Sequence, residues 1–289
     1  MCDEFTLADV ESAEAAGGIS RRSFGLMGAA AALSAYGAEA LAAGKPLVEG
    51  MVSIPTGDGT ADAFFVHPAT GRHPAIIMWP DIAGLRDAKK LMARRLAAAG
   101  YAVLVVNQYY RTAKAPVLES FAEWRTPAGQ EKLKPMIAAI NPEATTRDAA
   151  AFVKWLDTQK PVDRKRGIGS NGYCMGGPFT VRTAVAAPSR VRAAASFHGG
   201  GLVNDRPDSP HKLLAQTKAS YLFAIAQNDD ARSPGDKDAL KAAAAAAGRP
   251  AEIEVYHGDH GWTVPDSPIY NQAEADRAWA RMLALFAKL

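Results

Sequence analysis

Short apolar runs alternate with segments of helical period along most of this chain. The apolar runs predict buried strands, at Ala75–Trp79 and at residues 101–107, 193–197, 221–226 and 252–256. The segments of helical period predict helices, at Asp87–Ala98 and at residues 145–158, 179–187, 237–247 and 271–287. Strands and helices in alternation predict an α/β fold, with a mostly parallel central sheet and helices on both faces.

Two segments depart from this alternation. Residues 52–54 and 61–67 alternate apolar and polar positions around a glycine-containing turn, which predicts an N-terminal antiparallel hairpin. Residues 112–141 carry three prolines and leave the end of the strand at 101–107, where open α/β sheets hold their ligand sites. We interpret this second segment as a lid-like excursion over an active site, or else as an ordinary surface insertion.

The N-terminal residues have the features of a bacterial export signal. Arg21 and Arg22 form a twin-arginine pair, and the apolar run at 25–38 is shorter than the roughly 20 residues that span a bilayer. Small residues at 38–42 suit a signal peptidase. We expect residues 1–42 to be cleaved after twin-arginine export to the periplasm or the medium, leaving a single domain at 43–289. The alternative is an alanine-rich amphipathic helix that stays attached.

Removal of this signal changes the net charge. The whole chain has 33 basic and 30 acidic side chains, whereas residues 43–289 have 31 and 24, a net charge of +7. This charge favours anionic small molecules as ligands. No basic stripe is interleaved with aromatic residues, so the sequence argues against nucleic-acid binding. It predicts no membrane contact once the signal is removed.

The number of cysteines in the chain bears on the role of Cys174. The chain has two cysteines, Cys2 and Cys174, and cleavage would remove the first. A lone thiol cannot form an internal disulfide and is open to oxidation outside the cytoplasm. A catalytic role for Cys174 is therefore the better explanation.

Cys174 lies in a glycine-rich turn, Gly172-Tyr173-Cys174-Met175-Gly176-Gly177. A Gly-x-nucleophile-x-Gly turn joins a strand to a helix and holds its central residue in a strained backbone conformation. The flanking glycines are required because a Cβ at either position would clash with the neighbouring strand or helix. The turn predicts a nucleophile at a helix N-terminus, with cysteine in the place of the usual serine.

An acid and a histidine follow the cysteine in chain order, each at the end of a predicted strand. Asp229 and Asp230 follow the strand at 221–226, and His260 follows the strand at 252–256. Nucleophile, acid and histidine in this order are typical of α/β-hydrolase triads. His260 would take the thiol proton, and an acid would orient its ring. Asp229 is favoured because it lies first after the strand, but both acids remain candidates.

Two other histidines lie near predicted strand ends. His257, Asp259 and His260 form a His-x-Asp-His loop that could bind zinc, but no third histidine lies at ligand-like spacing. We predict no metal and interpret His257 as structural. His198 precedes three glycines and either faces the substrate pocket or has a structural role.

The oxyanion of an acyl-transfer intermediate requires two N–H donors. Met175, directly after the nucleophile, would provide one, and Ile82, in the loop after Ala75–Trp79, would provide the other. Asp81 in that loop would disfavour the thiolate if it lay close to the sulfur. Alternatively, Asp81 caps the helix that starts near Arg86.

These motifs resemble those of the dienelactone hydrolases, or carboxymethylenebutenolidases, a family of the α/β-hydrolase superfamily. The resemblance covers residues from about 50 to 289 and is carried by the glycine-rich turn, by Gln227-Asn228-Asp229 and by Gly258-Asp259-His260-Gly261. It implies a Cys174–His260–Asp229 triad that opens enol-lactones or related esters through an acyl-enzyme.

The same resemblance assigns roles to further residues. Asp81 matches a glutamate that restrains the resting thiol and helps to ionise it when substrate arrives. Arg111 matches an arginine that pairs with a substrate carboxylate. The family's second arginine is replaced by Val264, which favours a less anionic ester or lactone than dienelactone itself. Three more side chains are expected beside the substrate: Tyr110, His198 and Trp262.

The sequence thus predicts a cofactor-free hydrolase with a cysteine nucleophile, acting on a small ester or lactone and monomeric in solution. Two alternatives stay open. One is an acyltransferase that uses the same triad, and the other is a non-catalytic binding or thiol-sensing protein on a hydrolase scaffold. The intact triad order argues against the non-catalytic protein.

Overall fold

A mostly parallel sheet organises the part of the chain that the computed structural model describes, residues 46–289. Its strands are β1 (Leu47–Thr56), β2 (Gly59–Pro68), β3 (Ala75–Trp79), β4 (Ala102–Val106), β5 (Ile168–Tyr173), β6 (Val191–Phe197), β7 (Ser220–Ala226) and β8 (Ala251–Tyr256). Within these residues the spatial order is β1-β2-β4-β3-β5-β6-β7-β8. The β1–β2 and β2–β4 pairs are antiparallel and the later pairs are parallel. The predicted hairpin and sheet are confirmed, whereas the predicted export signal at 1–42 lies outside the described residues.

Helices pack against both faces of the sheet, as predicted. They are α1 (Asp87–Ala98), α2 (Phe121–Trp124), α3 (Pro127–Ala138), α4 (Pro142–Leu156), α5 (Gly177–Ala186), α6 (Pro210–Leu213), α7 (Gln227–Arg232), α8 (Asp236–Ala246) and α9 (Gln272–Phe286). Alternate strand residues point to opposite faces, so Ile77 packs in a core with α4, α5 and α8, whereas Ile76 packs with α1 and α9. Within residues 46–289, no helix combines the length and apolar character needed to cross a membrane.

Helix α4 shows why one predicted boundary is displaced. The pattern of apolar residues predicts a start at Thr145, but α4 begins at Pro142. Proline suits the first turn of a helix because its missing N–H needs no partner there. The side chain of Asn141 accepts the N–H of Ala144 at 2.8 Å and so caps the helix. Local capping, which carries no apolar signal, therefore sets the boundary.

The segment at 112–141 contains α2 and α3 and packs against two loops that leave the sheet. Gly84, in the loop after β3, has a φ of +78°, and a Cβ there would lie 3.0 Å from the Val117 side chain. The backbone N–H of Phe121 donates to Oδ2 of Asp266, in the loop after β8, at 3.1 Å. This segment therefore lies over the edge of the sheet where the carboxyl ends of β3 and β8 meet their loops.

The turn after β5 leaves no room for side chains at its glycines. A Cβ on Gly172 would lie 2.1 Å from the backbone oxygen of Gly176, and a Cβ on Gly176 would lie 2.5 Å from the backbone oxygens of Trp79 and Pro80. Both distances are far inside van der Waals contact, and backbone atoms cannot move aside as a flexible side chain can. The clash predicted from the sequence is confirmed.

We expect Gly172→Ala to lower the free energy of unfolding by about 3 kcal/mol, because the added methyl group would displace the backbone of the turn. Gly50→Ala is the matched control, since a Cβ there meets nothing within 4 Å. Urea denaturation followed by circular dichroism measures both changes. Equal stability of the two variants would contradict the packing described for this turn.

Candidate active site

Cys174 lies between β5 and α5, in the sharp turn that the sequence predicts. Its φ is +52°, in the left-handed region that residues other than glycine rarely adopt. A 3₁₀ turn at residues 174–176 leads directly into α5, so the cysteine lies at a helix N-terminus. The residue is only 2% exposed. The strained turn is therefore confirmed, and it holds a buried thiol at the carboxyl end of a central strand.

Asp229, in the first turn of α7, is the acid that contacts His260. Its Oδ2 lies 2.8 Å from Nδ1 of His260, whereas Asp230 pairs with Nζ of Lys237 at 2.8 Å. A neutral ring that donates from Nδ1 keeps its lone pair on Nε2, the nitrogen that can accept a proton from a nucleophile. Asn228 fixes the backbone here, because its Oδ1 accepts the N–H of His260 at 2.9 Å. Asp229, and not Asp230, is therefore the candidate acid that contacts the His260 ring.

His198 connects the nucleophile turn to the catalytic histidine candidate. Its Nδ1 accepts the backbone N–H of Cys174 at 3.1 Å, and its ring centroid lies 4.9 Å from that of His260. Burial, followed by the neighbouring His260, holds the pKa of His198 well below its usual value, so the ring is neutral. Since Nδ1 accepts, Nε2 carries the proton and donates to Oγ1 of Thr263 at 3.1 Å. This leaves no nitrogen of His198 to contact a substrate.

Trp262 also has surroundings that differ from those of a substrate pocket. Trp262 is fully buried, stacks on Tyr256 with ring centroids 5.4 Å apart, and contacts the His198 ring edge to face at 5.2 Å. Trp262 therefore packs against the His198 ring and helps to hold its orientation. His257 is exposed at the end of β8, where its N–H contacts Glu274. Among residues 46–289, no group of three or more His, Cys, Asp or Glu side chains is arranged to hold a metal ion.

Ile82, one of the two predicted oxyanion donors, is fully buried in the loop after β3. Among the described residues its N–H has no protein acceptor, whereas the N–H groups of the next two residues do. Ala83 donates to Oδ1 of Asp81 at 3.0 Å, and Gly84 donates to the carbonyl of Asp81 at 3.0 Å. Buried N–H groups without a partner are rare in folded proteins. The Ile82 N–H is therefore available to an oxyanion.

Met175, the second predicted donor, follows Cys174 directly and lies close to the same loop. Tyr109 contacts both residues, because its hydroxyl donates to the carbonyl of Ile82 at 2.7 Å and lies 4.0 Å from Sδ of Met175. The close approach of Gly176 to the end of β3 holds the two backbone segments together. The structure thus places the loop of Ile82 and the turn of Met175 next to each other.

Asp81 belongs to a buried cluster of four charged side chains. Its Oδ1 lies 2.7 Å from Nη1 of Arg86, and its Oδ2 lies 2.8 Å from Nζ of Lys89. Arg86 also donates to both carboxylate oxygens of Asp266 at 2.7 Å. The four side chains are at most 7% exposed. Two acids and two bases balance each other, so the carboxylate predicted to act on the thiol is already neutralised by cations.

The cap alternative for Asp81 is wrong. The N-cap of α1 is Arg86, and that helix end has no side-chain cap. The Asp81 side chain instead caps its own turn through the N–H of Ala83. Burial alone would raise the pKa of Asp81, but the opposing charges of Arg86 and Lys89 outweigh it and hold that pKa well below its usual value.

Lys89 extends the charged cluster to the nucleophile turn. It is fully buried, and burial lowers its pKa even though the carboxylate of Asp81 opposes the shift. Its ammonium lies 4.2 Å from the ring centroid of Tyr173, the residue before Cys174. The cluster therefore supports the loop that carries Ile82 and the turn that carries Cys174.

Arg111 and Tyr110 are engaged with carboxylates of the protein. Nη1 and Nη2 of Arg111 each lie 2.8 Å from an oxygen of Asp148, and Nη2 also lies 2.6 Å from Asp58. The hydroxyl of Tyr110 donates to Asp148 at 2.7 Å, and burial together with this carboxylate raises the pKa of Tyr110 to about 12. These contacts fasten α4 to the β1–β2 hairpin. A substrate carboxylate would have to displace two acids to reach Arg111.

Sequence reasoning missed several residues that shape the site. Gln108 and Tyr109 lie two and three residues after the end of β4, and this place at a strand end is the signal that could have identified them. The partners of Asp81 gave a weaker signal. Lys89 is a charged residue on the face of α1 that packs against the sheet, a position that a lysine occupies only with a partner.

The fold and the order of Cys174, Asp229 and His260 after β5, β7 and β8 define an α/β-hydrolase. Comparison with known families places the chain in one family within this class. Residues 61–289 match the model of the dienelactone hydrolase family, and the chain belongs to that family.

Individual relatives have low sequence identity to this chain, but they align with it over most of their length. A protein of Methylorubrum extorquens, provisionally named a carboxymethylenebutenolidase, is 28% identical over 242 residues, which cover 82% of this chain and 79% of the relative. A Salmonella typhi protein of the same provisional name is 26% identical over 245 residues, or 83% of this chain and 87% of its own. The crystal structure of a provisionally named dienelactone hydrolase from Klebsiella pneumoniae superposes with a TM-score of 0.72 at 23% identity, covering 84% of this chain and all of that one.

We expect Asp81→Asn to reduce the free energy of unfolding at pH 7 by about 3 kcal/mol, because it leaves two buried cations short of one negative charge. The pKa of Asp81 is lower in the folded protein, so its stabilisation is complete above the unfolded-chain pKa of about 4. It is lost progressively as the pH falls from there toward the lower folded-state pKa. The stability difference between parent and variant should therefore narrow below about pH 4.

Urea denaturation between pH 3 and pH 8 measures this difference. Asp238→Asn is the control, since that carboxylate is 72% exposed and its pair with Lys241 should contribute little. A difference between parent and Asp81→Asn that stayed constant across this range would show that the charge of Asp81 is not what stabilises the cluster.

Proposed function

We propose that this protein hydrolyses a lactone or ester through an acyl-enzyme formed on Cys174. The family supports the hydrolysis of a carboxylic ester or lactone. The observation that carries the cysteine mechanism is the 2.8 Å contact between Asp229 and Nδ1 of His260, next to a nucleophile turn whose backbone N–H is bound by the neighbouring His198. An oriented imidazole, one ring contact away from the strained turn that holds a buried thiol, supports covalent acyl transfer.

In the acylation step, Nε2 of His260 takes the thiol proton and the sulfur of Cys174 attacks the substrate carbonyl. The carbonyl π electrons move onto oxygen, and the N–H groups of Ile82 and Met175 bind the resulting oxyanion. Asp229 stabilises the imidazolium. The intermediate then collapses, the C–O bond to the leaving group breaks, and His260 returns the proton to the departing alkoxide. In a lactone this hydroxyl remains attached to the acyl group.

In the deacylation step, water attacks the thioester while His260 takes one of its protons. The second oxyanion occupies the same two N–H donors, so both halves of the reaction depend on them. Its collapse breaks the C–S bond, releases the carboxylic acid and returns the proton to the thiolate. No redox change occurs, and the balance is one water consumed for each ester bond broken.

The site favours a substrate whose acyl part carries no carboxylate. Arg111 is paired with Asp58 and Asp148, and Val264 occupies the position of the family's second arginine. Val264 carries no positive charge, and the charge of Arg111 is already paired with two carboxylates. Neither residue therefore offers a cation to a dicarboxylate product. We therefore favour neutral lactones and esters over dienelactone itself.

We expect Cys174→Ala and His260→Ala each to lower kcat/KM for an aryl ester by at least about 10³-fold. The double variant should be no worse than the single ones, because thiol and imidazole act as one unit. Mass spectrometry of acid-quenched parent protein should show an acyl group on Cys174. Circular dichroism of each variant controls for folding.

The same assays separate the alternatives. Parent-level turnover by Cys174→Ala would defeat the cysteine mechanism. Products formed on added alcohols or thiols, at the expense of hydrolysis, would indicate an acyltransferase. A parent protein without burst or turnover on a panel of lactones and aryl esters would indicate a binding or thiol-sensing protein.

We further propose export by the twin-arginine route, on the sequence features of residues 1–42. Replacement of Arg21 and Arg22 by lysine keeps the charge and should retain the protein in the cytoplasm. Cell fractionation and immunoblotting measure this, with Arg164→Lys as the control for a substitution of the same kind elsewhere. Equal export of the double variant and the parent would exclude the twin-arginine route.

A further inference from the structure

Gln108 contacts the backbone of the loop that carries Ile82. It lies two residues after the end of β4, is 6% exposed, and its Nε2 donates to the carbonyl oxygen of Asp81 at 2.8 Å. That carbonyl belongs to the same peptide group as the N–H of Ile82. Because a peptide group is planar and trans, a contact that fixes its C=O also fixes the direction of its N–H.

We infer that Gln108 is a positioning residue for the oxyanion donor: its side-chain amide holds the peptide between Asp81 and Ile82 so that the Ile82 N–H faces the reacting carbonyl. The inference rests on the proposed function, because it assigns Gln108 to that mechanism. Gln108 itself touches neither the thiol nor the imidazole. It acts through one backbone peptide.

The other end of the Gln108 side chain indicates that this is not a packing role. Its Oε1 is buried and has no hydrogen-bond partner among residues 46–289. A buried acceptor without a partner destabilises a folded protein, and an apolar side chain of the same size would avoid that cost. An amide at this position is therefore explained by its donor, which serves Asp81.

Two other hydrogen bonds reach the carbonyls of Asp81 and Ile82 in this loop. The N–H of Gly84 also donates to the Asp81 carbonyl, and the Tyr109 hydroxyl donates to the carbonyl of Ile82. The Gly84 contact comes from within the turn, and the ion pairs of Asp81 with Arg86 and Lys89 hold its side chain and not the peptide that carries the Ile82 N–H. Gln108 lies outside the turn, after the neighbouring strand, and therefore ties the peptide to the sheet.

The test is Gln108→Met, which keeps the length and volume of the side chain and removes the amide donor. We expect kcat for an aryl ester to fall about tenfold with KM unchanged. This is less than the loss of about 10²–10³-fold typical when an oxyanion donor itself is removed, because the Ile82 N–H is displaced and not deleted. The melting temperature should stay the same or rise, since the unpaired Oε1 is gone.

A thionoester substrate provides a readout that a structural role would not change. Sulfur is a weaker hydrogen-bond acceptor than oxygen, so a thionoester gains less from the oxyanion donors. We expect Gln108→Met to lower the rate ratio of oxoester to thionoester severalfold. Gln159→Met is the matched control, because Gln159 uses its Nε2 on the carbonyl of Trp155, in α4, and should leave that ratio unchanged.

The outcomes distinguish this inference from the proposed function. If Cys174→Ala is inactive but Gln108→Met keeps the parent kcat and the parent rate ratio, Gln108 has no positioning role and the cysteine mechanism stands. If Gln108→Met loses activity only in proportion to a lower melting temperature, the residue is structural and the inference is likewise overturned. If Cys174→Ala retains parent activity, the proposed function fails first.

Discussion

The turn that holds Cys174 lies so close to the end of β3 that a Cβ on Gly176 would come within 2.5 Å of the carbonyl oxygens of Trp79 and Pro80. This approach brings two backbone segments, one with the nucleophile and the other with Ile82, into a fixed relation that no side chain could adjust. It also places the N-terminus of α5 beside the loop after β3. The rest of the site is built around this contact, since His198, Tyr109 and Lys89 each connect one of the two segments to its surroundings.

The charged side chains around the site form clusters in which acids and bases pair with each other. Asp81, Arg86, Lys89 and Asp266 balance each other beneath the loop after β3, while Arg111 is balanced by two carboxylates beside α4. Buried charges of this kind stabilise a fold only when each has a partner, and they restrict how the surrounding loops can move. Asp266 also accepts the N–H of Phe121, so the segment at 112–141 is tied to the same group. These balanced charges therefore hold the loops around the site in place.

Much of this site could be predicted because strand ends are readable in the sequence. The apolar runs located β7 and β8, and the residues that follow them supplied Asp229 and His260, whereas Cys174 was identified from its glycine-rich turn. The role of Arg111 was harder to predict, because its partners Asp58 and Asp148 are distant in the sequence. Only the folded hairpin and α4 bring these carboxylates to Arg111. Asp81 was misleading for a similar reason, since its helix-cap interpretation ignored cations that only the packed α1 and the loop after β8 provide. Pairwise charge contacts leave no periodic signal in a sequence.

The burial of Cys174 separates its reactivity from its accessibility. A side chain that is 2% exposed offers little surface to a reagent from solvent, whatever its intrinsic reactivity. The size of a labelling reagent will therefore matter as much as the ionisation of the sulfur. The same enclosure would also slow the exchange of this thiol with large disulfides, because both sulfurs must meet before they react.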